Sequence, residues 1–277
     1  MEVTWAIVRI IVAVYLGLCL WMLVGQSGYV YYPGPPGGVT PAYFGIDFEN
    51  LKLRTEDGET IAAWFVPAPE DAHRGKTILF SHGNGGNMDI RLDSVRSFRE
   101  MGFDVLLYDY RGYGESTGKP TEAGTYKDIT ACWDYLVKEK GVASTNIVLF
   151  GRSLGGAVSA WLAERVEPCA LVTESTFTSA PDMAAKMFPY LPARTLCRFR
   201  YDTLGRIGNV KCPVIIAHSP QDKIVPPAHG QRLFDAATEP KYFVEFPGGH
   251  NAGGVDFDKA YQRLFLRVVS GETPASG

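Results

Sequence analysis

Cysteine is scarce and scattered in this chain. Its five residues (Cys19, Cys132, Cys169, Cys197 and Cys212) include no CxxC pair, which leaves neither a disulfide framework nor a zinc knuckle to expect. Basic charge is not in excess either. With 27 Lys and Arg against 30 Asp and Glu the net charge is −3, and no basic cluster interrupts it, so nothing points to a nucleic-acid partner. No internal repeat is evident. Histidine occurs only five times, so chemistry that needs an imidazole has few places to find one. What remains is 277 residues, 46% hydrophobic and 21% charged, enough to bury one full core in a large α/β domain.

There is one long apolar run. Trp5 to Val24 can cross a bilayer as a helix, with Arg9 near its start. Tyr15, Trp21 and the group Tyr29, Tyr31 and Tyr32 supply interfacial aromatics. A retained anchor and a cleaved signal peptide both fit this pattern, although Val24-Gly25-Gln26-Ser27-Gly28 is a mediocre cleavage site. A core helix would need a polar face between Ile10 and Val24, where none is seen. With Arg9 and the α-amino group before the span and no Lys or Arg after it until Lys52, the amino terminus is expected inside. The large domain then lies outside the cytoplasm, or is secreted if the segment is cleaved. The expected map is an anchor or signal over 1–26, a Pro/Gly-rich linker over 27–42, the α/β domain over 43–270 and a disordered tail over 271–277. Pro33 to Pro41 is expected to form neither helix nor strand.

Within the domain, residues 48–55 and 60–66 read as a hairpin turned by Glu56-Asp57-Gly58-Glu59. Strands follow at 77–80, 104–109, 146–150, 170–173, 213–218 and 241–246. Helices are expected at 91–101, 121–140, 156–164, 227–237 and 256–269. This alternation implies a mostly parallel sheet covered on both faces, with its active site at the carboxyl ends of the strands. Residues 175–205 break the rhythm. Pro181, Pro189 and Pro192 among Met, Phe, Tyr and Leu suit short helices forming a small cap, or an ordinary long crossover.

The chemistry gathers at Gly151-Arg152-Ser153-Leu154-Gly155. An apolar strand runs into this Gly-x-Ser-x-Gly and a helix runs out, the context of a nucleophile elbow. Gly114-Glu115-Ser116-Thr117-Gly118 fits the same pattern but opens into Lys119-Pro120, a loop, so Ser153 is the expected nucleophile. A serine hydroxyl needs a base, and the base needs a partner that fixes its tautomer. His73 reads as a surface residue, His82 sits in the Gly-rich loop, His218 ends a strand and His229 falls inside a helix. His250, on a loop after a strand, is the expected base. Asp222, in the loop after the strand ending at His218, is the expected orienting acid, with Glu174 as its rival. The order Ser, Asp, His agrees with this type of sheet. Oxyanion donors are expected from the Leu154 N–H and from the Asn84 N–H in the loop Ser81-His82-Gly83-Asn84-Gly85-Gly86-Asn87.

Together, His82 to Asn87, Asp109-Tyr110-Arg111-Gly112-Tyr113-Gly114-Glu115-Ser116, Gly151 to Gly156, Asp222 and Gly249-His250 resemble the α/β-hydrolase superfamily over nearly all of 48–269. The likeness is nearest to membrane-anchored serine hydrolases of the abhydrolase-domain type, some of which remove acyl groups from proteins or lipids. It implies the α/β-hydrolase fold, a structural role for 109–116, and an acyl-enzyme on Ser153 with no metal or organic cofactor. The implied substrates are small-molecule or lipid acyl esters or thioesters. A serine peptidase and a non-catalytic membrane-tethered binding module are the alternatives.

Overall fold

The apolar runs read as strands line up in one eight-stranded sheet. In this computed structural model, residues 1–252 and 254–272 are described; of the tail expected at 271–277, positions 273–277 lie outside them. The amino-terminal part comprises α1 (Glu2–Gly25), α2 (Ser27–Val30) and a two-residue β1 (Tyr32–Pro33). The domain follows with β2 (Glu49–Arg54), β3 (Thr60–Val66), β4 (Thr77–Ser81), the short β5 (Gly85–Gly86), α3 (Leu92–Glu100) and β6 (Asp104–Tyr108). Next come α4 (Glu122–Asp134), β7 (Ile147–Arg152), α5 (Leu154–Ala163) and β8 (Ala170–Glu174). Short helices α6 (Ala180–Met187), α7 (Ala193–Leu196) and α8 (Thr203–Ile207) precede β9 (Val214–His218), α9 (Pro227–Ala236), β10 (Lys241–Glu245) and α10 (Lys259–Val269).

The sheet order is β10-β9-β8-β7-β4-β6-β3-β2, with only β2/β3 and β3/β6 antiparallel. Side chains alternate between two cores, as strand geometry requires. Leu79, Leu106, Leu149 and Leu171 point to the side holding α4 and α5. Ile78, Phe80, Val105, Leu107, Val148, Phe150 and Val172 point to the side holding α3 and α10. Burial on both faces explains why the central strands read as unbroken apolar runs.

Helix ends follow their capping chemistry. The Thr121 side chain accepts from Gly124 N–H, and beyond α4 the chain widens into a π turn over Tyr135–Glu139 before Gly141 turns it at φ +69°. The last helix, expected from Asp256, starts at Lys259. Asp258 caps it by accepting from Ala260 and Tyr261 N–H, while Asp256 faces Arg152 instead.

The stretch 27–42 differs most from a free linker. Composition predicts neither helix nor strand over Pro33 to Pro41, yet Pro33 closes β1 and Pro41 opens a 3₁₀ turn (Pro41–Phe44), with only 34–40 irregular between them, and α2 and β1 dock on the domain. Gln26 is buried, donating to Leu196 O (2.8 Å) and accepting from Arg198 N–H (2.7 Å). Tyr31 and Tyr201 share a hydroxyl hydrogen bond of 2.7 Å. Tyr32–Pro33 pairs in parallel with Gly85–Gly86. Proline's missing N–H does not prevent this, because Tyr32 and Gly34 donate on either side of Pro33.

Under α3, Phe98 packs edge-on against Phe80 and Phe150, with ring centroids 5.9 and 4.9 Å away, and tilts against Phe265 at 6.1 Å. Phe98→Ala should remove about 3–5 kcal/mol of stability, lost burial and cavity together, read as a lower urea midpoint with unchanged slope.

Candidate active site

The sheet register brings three loops to one edge. Gly151 of β7 lies beside Ser81 and Thr173, and Glu174 of β8 lies beside Ala217, so these strands end level. Ser153 is the first residue beyond β7, at φ +54° and ψ −115°, a conformation that L-residues rarely adopt. Close packing around the turn holds it there. A Cβ on Gly151 would collide with the Gly155 carbonyl, one on Gly155 with Ser81 O, and one on Gly156 with Thr176 Oγ1. All three glycines are therefore required by approach distance; none of them has positive φ. The Ser153 N–H donates to Glu174 O (2.8 Å), fastening the turn to β8.

Ser153, His250 and Asp222 meet at this edge although they are far apart in the chain. His250 Nε2 lies 3.1 Å from Ser153 Oγ, and His250 Nδ1 lies 2.7 Å from Asp222 Oδ2. An Nδ1–H donating to the carboxylate leaves Nε2 with the lone pair facing the hydroxyl. Asp222 Oδ1 accepts from Ile224 and Val225 N–H, each at 2.9 Å, and the buried His218 stands 3.5 Å from Oδ2. Burial alone would raise the Asp222 pKa, but bonds from His218 and His250, with the Val225 N–H, prevail and hold the carboxyl well below the usual carboxylate range.

The rival groups are engaged elsewhere. Buried Glu174 bonds Arg152 Nε at 2.6 Å and accepts from Val255 N–H at 3.0 Å. Arg152 also reaches Asp256 at 3.0 Å. Burial would lower the guanidinium pKa, but these two carboxylates more than offset it and raise it. Ser116 Oγ donates to Asp109 O and accepts from Ala62 N–H, both buried contacts. His82 meets the Gly83 carbonyl and Asp109, His229 meets Thr178, and His73 meets Asp104 near the surface. Sequence reasoning did not find the Arg152–Glu174–Asp256 network; the one signal was a charged residue inside the elbow itself.

Asn84 and Leu154 line the same cavity as Ser153 and His250. Neither backbone N–H takes part in any turn, loop or cap hydrogen bond among the described residues. The cavity encloses about 680 Å³. Its lining includes the polar Asn84, Arg91, Arg152 and Asn251, and apolar or aromatic Met183, Met187, Phe188 and Phe199 of the 175–205 segment with Met22 and Tyr29. Among the described residues no cluster of three or more His, Cys, Asp or Glu is arranged to hold a metal ion.

The model of the alpha/beta hydrolase fold matches residues 76–195. Alpha/beta hydrolase domain-containing protein WAV2 of Arabidopsis thaliana is 37% identical over 248 residues, 81% of this chain and 80% of that protein. The chain belongs to the α/β-hydrolase family. Alpha/beta hydrolase domain-containing protein 17B of Homo sapiens is 34% identical over 230 residues, 81% of this chain and 76% of that one. Among solved structures, the Pyrococcus furiosus esterase Pf2001 superposes with a TM-score of 0.70 at 20% identity, over 87% of this hydrolase and 97% of the esterase. This is a likeness of fold.

The depressed Asp222 carboxyl fixes a sign for pH dependence. Its folded pKa lies below the unfolded value of about 3.9, so its stabilisation is complete above that pH and fades as pH falls through it. Wild type should therefore exceed Asp222→Asn in urea midpoint at pH 7, and the gap should narrow on titration from pH 5 towards pH 3.

Proposed function

We propose that this hydrolase cleaves carboxylic esters or thioesters through an acyl-enzyme on Ser153. The observation that supports this best is the unbroken chain of contacts from the strained Ser153 hydroxyl through His250 to Asp222. As Ser153 Oγ attacks the acyl carbon, His250 Nε2 takes its proton and Asp222 stabilises the imidazolium. The carbonyl oxygen becomes an oxyanion received by the Leu154 and Asn84 N–H groups, the first of them at the positive end of α5. Collapse of the tetrahedral species breaks the bond to the alcohol or thiol, which leaves with the proton held by His250. Water then repeats the sequence on the acyl-enzyme, releases the acid and restores Ser153.

The apolar residues in the cavity lining suit an acyl chain, and the cavity volume falls within the range of about 300–1,000 Å³ that small-molecule sites occupy. Helix α1 supports a membrane setting. It is 24 residues long with mean hydropathy 2.5 over its most apolar window, and Met22 is its only fully buried residue. We read it as a retained anchor that holds the domain against the non-cytoplasmic face of a bilayer, where acyl esters are presented.

A fluorophosphonate probe should label wild type and leave Ser153→Ala unlabelled, with kcat on p-nitrophenyl esters falling at least about 10³-fold in the variant. Across an ester series kcat/KM should climb from acetate to medium and long chains as the apolar wall fills. Equal labelling of the two proteins would sink the assignment. Specific partner capture without turnover of any activated ester would favour a binding module.

A further inference from the structure

A glycine-rich oxyanion loop has an inherent weakness. Each of its peptides can rotate, and a rotated peptide puts a carbonyl oxygen where an N–H is needed, which turns attraction for the oxyanion into repulsion. Here every carbonyl from Gly83 to Gly86 is tied back by a donor. Gly83 O faces His82 Nδ1 at 2.6 Å, and Gly85 O accepts from Arg91 Nη2 at 2.5 Å. Asn84 O accepts from both Tyr32 N–H (3.1 Å) and Tyr113 Oη (2.8 Å), and Gly86 O accepts from Gly34 N–H (2.8 Å). The Asn84 side chain also donates Nδ2–H to Val30 O at 3.0 Å. Three of these six bonds come from Val30, Tyr32 and Gly34, outside the sheet and directly after the apolar helix.

We propose that Val30–Gly34 is a positioning element that locks the oxyanion loop with its N–H groups turned towards Ser153. The inference rests on the serine-hydrolase reading above. Its basis is that Asn84, whose N–H takes part in no turn, loop or cap hydrogen bond among the described residues, is held by this segment at both its carbonyl and its side chain. The contact is main chain against main chain; a Cβ on Gly34 would stand 3.1 Å from Gly86 C. The segment thereby couples the membrane helix to the reacting centre.

Tyr32→Pro deletes the N–H donor together with the ring, and Tyr32→Ala separates the two losses. Tyr31 is already extended at φ −116° and ψ 125°, as a residue before proline must be, and the Tyr32 side chain is 49% exposed. Tyr32→Ala keeps the N–H and removes the ring. With the full-length protein in detergent and a soluble short-chain ester, Tyr32→Pro should lower kcat roughly 10–100-fold, short of the loss of a whole oxyanion donor. KM and the thermal midpoint should hardly move, and an alkylboronic acid, which forms a tetrahedral adduct, should bind more weakly by the same factor as kcat falls. Tyr32→Ala, which loses the same cavity-lining ring but keeps the N–H, should lose far less kcat than Tyr32→Pro. An unchanged kcat in Tyr32→Pro, the same loss in Tyr32→Ala, or a loss that travels with a collapsed thermal midpoint would each overturn the proposal. If Tyr32→Pro does not fold, Gly34→Ala, which pushes the paired segments apart, decides by the same readouts. Wild type that the fluorophosphonate does not label would fail the hydrolase reading itself, whereas labelled wild type with fully active variants would sink only the lock.

Discussion

The arrangement depends on one strained residue. Ser153 sits at φ +54° between β7 and α5, a conformation that costs of order 1–3 kcal/mol and persists only where the surroundings over-determine it. Three kinds of contact do so. Glycines at 151, 155 and 156 allow the helix to lie against the strand ends, the Ser153 N–H is held by Glu174 O, and the following turn closes with Gly156 N–H on Ser153 O. Relaxing the turn would require backbone atoms of β4, β7 and β8 to separate, so the packing of the sheet holds the Ser153 backbone in this conformation.

Around that turn two electrostatic systems stay apart. Asp222 takes four donors' worth of attention from His250, His218 and two backbone N–H groups, and so remains ionised. Arg152, next to the serine, is matched by Glu174 and Asp256. If Glu174 were free it would compete for the imidazole; bound to Arg152 and to Val255 N–H, it serves the framework. Asp256 comes a few residues after His250, so the Arg152 pair also fastens the chain downstream of the imidazole to the elbow.

How much of this was legible in the sequence depends on the range of the interaction. The elbow is local, since its strand, turn and helix occupy adjacent residues, and the glycine spacing conveys both the turn and the packing. His250 and Asp222 were legible because strand ends in a parallel sheet converge on one edge whatever their separation along the chain. Glu174 satisfied the same positional rule and was set aside only by a partner, Arg152, whose reach is tertiary. The start of α10 was misplaced for the same reason, because Asp256 resembles a helix-initiating residue until its ion pair is known. The segment after α1 was the least legible. Proline and glycine content forecasts an irregular Pro33–Pro41, but it misses the strand that ends at Pro33 and the 3₁₀ turn that starts at Pro41, and it does not reveal that Tyr32 and Gly34 have acceptors waiting on the 83–86 loop.

That last difference changes what the amino-terminal helix does. A tether through a flexible linker would fix only the concentration of the domain at a membrane. Here Met22, near the end of the helix, and Tyr29, in the turn after it, both line the cavity that holds Ser153. Tyr29 stacks edge-on between Trp21 and Phe188 at 5.3 Å from each, and Gln26 is bonded on both sides to the segment 196–198. Met22, Gln26 and Tyr29 thus carry the helix and the turn after it into the lining of the cavity. On the reading of the helix as an anchor, the apolar residues among this lining would shelter an acyl chain from water, where each exposed methylene costs about 0.8 kcal/mol. The same few residues that join helix to domain thus also line the cavity that holds Ser153.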